Sequence, residues 1–199
     1  MKNIIKNLAL FIIFSFAISS FVACNNSATT NSEKASDGGI EKFSDEKAEN
    51  DDFPTTPDVI VKTDLRAMDG ENFKVEDFKG DVILVNLWAT WCGPCIKEMP
   101  ELVAMQEKYG DRGFKIIGLN TSNEPPELVK AFVEKQKLNY KIGWATDEVR
   151  DKFFQLSEMS GIPQSIIINR NGNMVGLFRG GGPEAVQKMI ETVDKTMAE

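Results

Sequence analysis

A chain of 199 residues, 42% of them hydrophobic, has room for one compact domain with appendages and is crowded for two. Its formal charge of -7 becomes more negative by two if residues 1–23, with Lys2 and Lys6 and no acid, are removed, which argues against nucleic acid as a partner. The count of zero histidines excludes Ser-His-Asp and Cys-His catalysis, zincin sites and His-ligated haem together, and leaves the chemistry to thiols or carboxylates.

The chain opens with "MKNIIKNLALFIIFSFAISSFVACNNSA": a basic start, an apolar stretch from Leu8 to Ala23 broken by Ser15, Ser19 and Ser20, and then Cys24. This is the layout of an export signal, and the stretch is shorter than the roughly 18 to 20 residues a spanning helix uses. "FVAC" resembles a bacterial lipobox, with Phe21 where a smaller aliphatic residue is commoner. The resemblance implies that residues 1–23 are a lipoprotein-type signal peptide and that Cys24 is lipidated. Residues 25–52 are rich in Ser, Thr, Asn and charge and nearly free of large apolar groups. Such a segment cannot bury enough surface to offset its ordering entropy, so 24–52 is expected to be a disordered tether of roughly 30 Å root-mean-square span.

Strand and helix signals alternate over 53–199. "VILVNLW" (82–88) is an apolar run fit for a strand buried on both faces, and "FKIIGLN" (114–120) is a second one. Helical spacing marks 98–110, ending at Gly110, then 126–138 with a proline at its start, and 147–156. Around Asn171-Gly172, "SIIINRNGNMVGLF" (165–178) reads as a β-hairpin, and 183–197 closes the chain as a helix. The order predicts a small α/β domain with a central mixed β-sheet flanked by helices.

Two of the three cysteines stand in "WCGPC" (91–95). With Cys92 at a helix N-terminus and Cys95 one turn later, the two sulfurs can meet in a disulfide. Cys92 there faces unpaired backbone N–H groups that favour its thiolate. Gly93 and Pro94 let the turn tighten, and Pro94 lacks only an N–H that has no partner in a first turn. The pattern points to exchange chemistry, in which Cys92 attacks a substrate disulfide and Cys95 resolves the mixed disulfide. The competing readings are a bridge that staples the fold and a metal-holding pair; so small a loop stabilises little, and two cysteines alone do not complete a zinc site.

"WCGPC" after "VILVNLWAT" resembles the thioredoxin family. Pro100 resembles the kink proline of its active-site helix, "GIP" at 161–163 its cis-proline loop, and 165–178 the hairpin that follows. The N-terminal extension over 64–95 and the segment 120–147, which would insert a helix and a strand before the cis-proline, resemble the TlpA/ResA branch. The resemblance implies a thioredoxin-like domain over 53–199. It also implies a substrate face made by Trp91, Gly93, Pro94, Ile162 and Pro163, where Ile162 offers backbone hydrogen bonds to an extended segment. Trp88 is read either as lining the approach or as core. Where thioredoxin has a buried carboxylate on the central strand this chain has Asn86, which cannot take a proton. Glu98, on the helix face of Cys95, resembles the proton acceptor of the ResA-like proteins, with a solvated helix carboxylate as the competing reading.

The function that these resemblances imply is that of an extracytoplasmic, lipid-anchored thiol:disulfide oxidoreductase of the bacterial cell envelope. It is expected to reduce disulfides in exported proteins such as apocytochrome c as a monomer, and the family implies that its electrons come from a membrane thiol carrier of the CcdA or DsbD kind. Its redox group is the Cys92–Cys95 pair, with no further cofactor and no metal. A disulfide-donating oxidant and a copper-binding metal-site assembly factor, in which the dithiol holds a soft ion, remain the alternatives.

Overall fold

The computed structural model describes residues 53–199; the expected signal peptide, Cys24 and the tether lie outside the described residues. The centre of the domain is β3 (Val82–Trp88), buried at all seven positions as its unbroken apolar run requires. On one side it pairs in parallel with β4 (Phe114–Asn120), which pairs in parallel with β5 (Lys141–Trp144). On the other side β6 (Gln164–Ile168) runs antiparallel to β3 and continues through a hairpin to β7 (Met174–Arg179). A short hairpin of β1 (Leu65–Ala67) and β2 (Asn72–Phe73) caps the far edge against β5, giving a seven-stranded mixed sheet of order β2-β1-β5-β4-β3-β6-β7.

Helices cover both faces. Short α1 (Asp58–Val61) and α4 (Asp147–Ser157) place Ile60, Val149 and Phe153 against Ile83, Val85 and Leu87. The opposite face takes α2 (Gly93–Tyr109), α3 (Pro126–Gln136) and α5 (Pro183–Thr196). Alternation along a strand makes Leu84, Asn86 and Trp88 face this second group, so the polar Asn86 points at α2 from the middle of an apolar strand. The expected hairpin turn forms at 169–173, where Gly172 has φ +91° and the Asn169 side chain accepts from the Asn171 and Asn173 N–H groups. The extra helix and strand within 120–147 are α3 and β5. Among the described residues no helix is long and apolar enough to cross a membrane.

Candidate active site

The site lies where β3 ends and α2 begins. Cys92 is the N-cap of α2, in extended conformation, and its Sγ accepts the Cys95 N–H at 3.2 Å. Gly93 and Pro94 occupy the first helical turn, where a missing N–H costs nothing. Cys92 and Cys95 are joined as a disulfide with their Cα atoms 5.2 Å apart. Neither is open to solvent: Cys92 is 4% exposed and Cys95 fully buried among Trp88, Met99 and Val129.

Across the gap stands the loop before β6. Its Ile162-Pro163 peptide is cis, and the Ile162 carbonyl oxygen lies 3.8 Å from Cys92 Sγ. The Gln164 side chain shapes this loop by donating to the Met159 and Gly161 carbonyls, each at 2.8 Å. Of the residues expected to make the substrate face, Trp91, Gly93 and Pro94 reach solvent, Ile162 does so in part and Pro163 is covered. Trp88 is core: it is fully buried and stacks on Phe132 at 5.5 Å, so it does not line the approach.

Glu98 is only 2% exposed, which removes the reading of a solvated helix carboxylate. Its Oε1 accepts from Asn86 Nδ2 at 2.8 Å, and the same amide donates to Ser165 Oγ at 2.9 Å. Its Oε2 has no partner. Burial pushes its pKa up to about 7 from an ordinary 4.5, against a smaller lowering by the Asn86 hydrogen bond. The register explains the arrangement: Ser165, Asn86 and Gly118 are opposite one another on β6, β3 and β4, which pairs the two polar side chains and sets a glycine beside them. Gly118 leaves the room that the Trp88 indole and the Tyr140 ring occupy, since a Cβ there would meet both at 3.0 to 3.2 Å. The Tyr140 hydroxyl is buried without a partner, and its pKa is raised by burial and by the charge of Glu98.

Sequence reasoning placed both cysteines, Glu98 and the proline loop; it missed the second wall. The loop after β4 is bound to the turn 89–92 by a network centred on Glu124, whose carboxylate accepts from the Thr90 N–H at 3.2 Å, from the Thr90 hydroxyl and from Asn120 Nδ2 at 2.9 Å. Asn120 Oδ1 in turn accepts the Ser122 N–H at 2.8 Å, and Ser122 Oγ accepts from Trp91 Nε1 at 3.0 Å. A lone acid before a Pro-Pro pair gave no sign of a partner 34 positions earlier. Among the described residues no group of three or more His, Cys, Asp or Glu side chains is placed to hold a metal ion.

The sequence matches the Redoxin family over residues 48–195. The thiol-disulfide oxidoreductase ResA of Halalkalibacterium halodurans is 32% identical over 133 residues, covering 65% of this chain and 72% of that protein. ResA of Geobacillus kaustophilus is 27% identical over 140 residues, covering 70% and 76%. Among solved structures, a thiol:disulfide interchange protein of the thioredoxin family from Chlorobium tepidum matches with a TM-score of 0.62 at 29% identity, covering 73% of this chain and 97% of that one.

Proposed function

The chain belongs to the Redoxin family, in the TlpA/ResA branch of thioredoxin-fold thiol:disulfide oxidoreductases, and from that premise we propose that it reduces disulfides of exported proteins outside the cytoplasm. The observation that carries the reading is the pairing of Cys92, capping α2 at the rim, with a resolving Cys95 one turn above a buried carboxyl.

In the reduced protein the α2 N-terminus and the Cys95 N–H stabilise the Cys92 thiolate. That thiolate attacks one sulfur of the substrate disulfide; the old S–S bond breaks, the mixed disulfide forms, and the departing substrate sulfur takes up a proton. Cys95 then gives its proton to Glu98 and attacks Cys92 Sγ, expelling the second substrate sulfur as a thiolate that takes up a proton from solvent, as Glu98 later returns its own to solvent, and leaving the Cys92–Cys95 disulfide. Two electrons have passed to the substrate. Glu98 suits the proton transfer because a pKa of about 7 lets it accept and return a proton near neutrality. The cis Ile162-Pro163 loop presents its backbone to an extended substrate segment, and Trp91 with Pro94 borders that segment.

Oxidised exported proteins such as apocytochrome c form the substrate class, and a membrane dithiol carrier of the CcdA or DsbD kind restores the reduced pair. Lipid on Cys24 holds the monomeric domain at the membrane. The test is the reduction potential of the pair in residues 53–199, titrated against thiol buffers and followed by tryptophan fluorescence. A value near or below about -270 mV supports the reductant, whereas one near about -120 mV makes the protein a disulfide donor.

A further inference from the structure

Trp91 is 68% exposed and stands directly before the attacking cysteine, an unusual place for a large apolar ring with no cover. Its indole is nevertheless fixed, because Nε1 donates to Ser122 Oγ. Ser122 is fixed by Asn120, which is fully buried, and Asn120 by Glu124. Glu124 closes the circuit on Thr90, the residue before Trp91, through both its N–H and its hydroxyl. The Thr121 N–H adds a bond to the Trp88 carbonyl at 3.0 Å, so the loop is tied to the turn 88–91 at both ends. The segment that follows starts α3 and carries Leu128, 49% exposed, another of the large apolar side chains that the described residues leave in solvent.

A ring held in one orientation contributes contact area without the entropy cost of ordering it on binding. From this network we infer that the loop 121–125 is a latch, with Ser122 and Glu124 as positioning residues, that holds Trp91 as a fixed platform for an apolar side chain next to the substrate's cysteine. Neither residue touches the reacting sulfurs. Their effect is on which polypeptides bind and not on the exchange step, so the latch sets preference among protein disulfides and leaves small disulfides, which need only reach Cys92, largely outside its influence. This rests on the reductant reading above and adds to it a substrate feature and the residues that select for it.

The experiment compares the full-length chain in detergent with its Ser122→Ala, Ser122→Thr and Glu124→Ala variants on two probes, insulin and bis(2-hydroxyethyl) disulfide, with the Trp91 indole N–H followed by NMR. Losing one hydrogen bond in Ser122→Ala should lower kcat/KM on insulin about threefold to tenfold, through KM, and by at least about threefold more than on the small disulfide. Ser122→Thr, which keeps the acceptor oxygen, should restore both the kinetics and the indole shift. Glu124→Ala should move the same indole resonance without contacting it. If Ser122→Ala leaves the insulin kinetics and the indole shift as they are in the parent, or lowers both substrates equally, the latch is overturned. A parent that reduces neither probe overturns the reductant reading instead, and the specificity role with it.

Discussion

Glu98 has one oxygen held by the Asn86 amide and one with no partner, so burial outweighs its single hydrogen bond and the carboxyl keeps its proton to about pH 7. Its folded pKa lies above the ordinary 4.5, so between those values the folded chain holds a proton that the unfolded chain has released. The stability linked to this group is therefore full below pH 4.5 and is lost as pH rises through about 7, a change of about 3 kcal/mol. In the disulfide form, where the cysteines do not titrate, Glu98→Gln should remove that loss. Urea unfolding at pH 4.5 and pH 8 should show the variant gaining on the parent by up to about 3 kcal/mol over the interval. In the reduced form the same substitution should slow resolution of a mixed disulfide on the order of a hundredfold above pH 7 and erase the inflection near 7 from its pH profile. A parent profile without that inflection would remove Glu98 from the proton transfer. The carboxyl's place was readable from its spacing to Cys95, but its environment was not. Asn86, which holds it, and Ser165, which accepts from the same amide, are 79 residues apart and meet only through strand register.

At the scale of elements, the site depends on a loop whose sequence carries no chemistry. Gly181, between β7 and α5, sits so close that a Cβ there would fall 2.7 Å from the Pro94 carbonyl oxygen and 3.0 Å from Pro163 Cγ. Both neighbours are rigid, one being backbone of the α2 first turn and the other the cis-proline ring, so the added methyl must push the two walls of the site apart. Gly181→Ala should cost about 1 to 3 kcal/mol in stability and lower turnover on every disulfide, small ones included. Equal loss on both kinds of substrate separates it from a Trp91 latch variant. The elements themselves were legible to different degrees. β3 and β4 announced themselves because strands buried on both faces are continuous apolar runs. The β1–β2 hairpin did not, although Asp69-Gly70 makes its turn, because strands of three and two residues offer no alternation to read. The closeness of Gly181 to Pro94 is a property of how α5 and α2 pack on one face, and no local pattern encodes it.

For the molecule as a whole, the proposed lipid anchor must hold a strongly acidic chain at a membrane. Polybasic segments bind anionic lipid surfaces at about 1 kcal/mol per cation, and a chain of net charge -7 has the opposite sign for that attraction. No helix among the described residues is long and apolar enough to cross a membrane, and the large apolar side chains exposed there are Phe53, Trp91 and Leu128. The lipobox reading assigns attachment to Cys24, an odd cysteine that the active site does not use. The lipobox reading predicts that the parent is labelled by fatty acid, stays with membranes in high salt and leaves them in detergent, since hydrophobic anchoring is not screened by ions. Cys24→Ala should lose the label. If the variant also stays in the membrane fraction, the stretch from Leu8 to Ala23 is itself the anchor and the signal is not cleaved at Cys24. If it appears in the soluble fraction with full activity on insulin but no longer receives electrons from a membrane carrier, then the lipid's role is to hold the rim of Cys92 within reach of that carrier on a tether of roughly 30 Å.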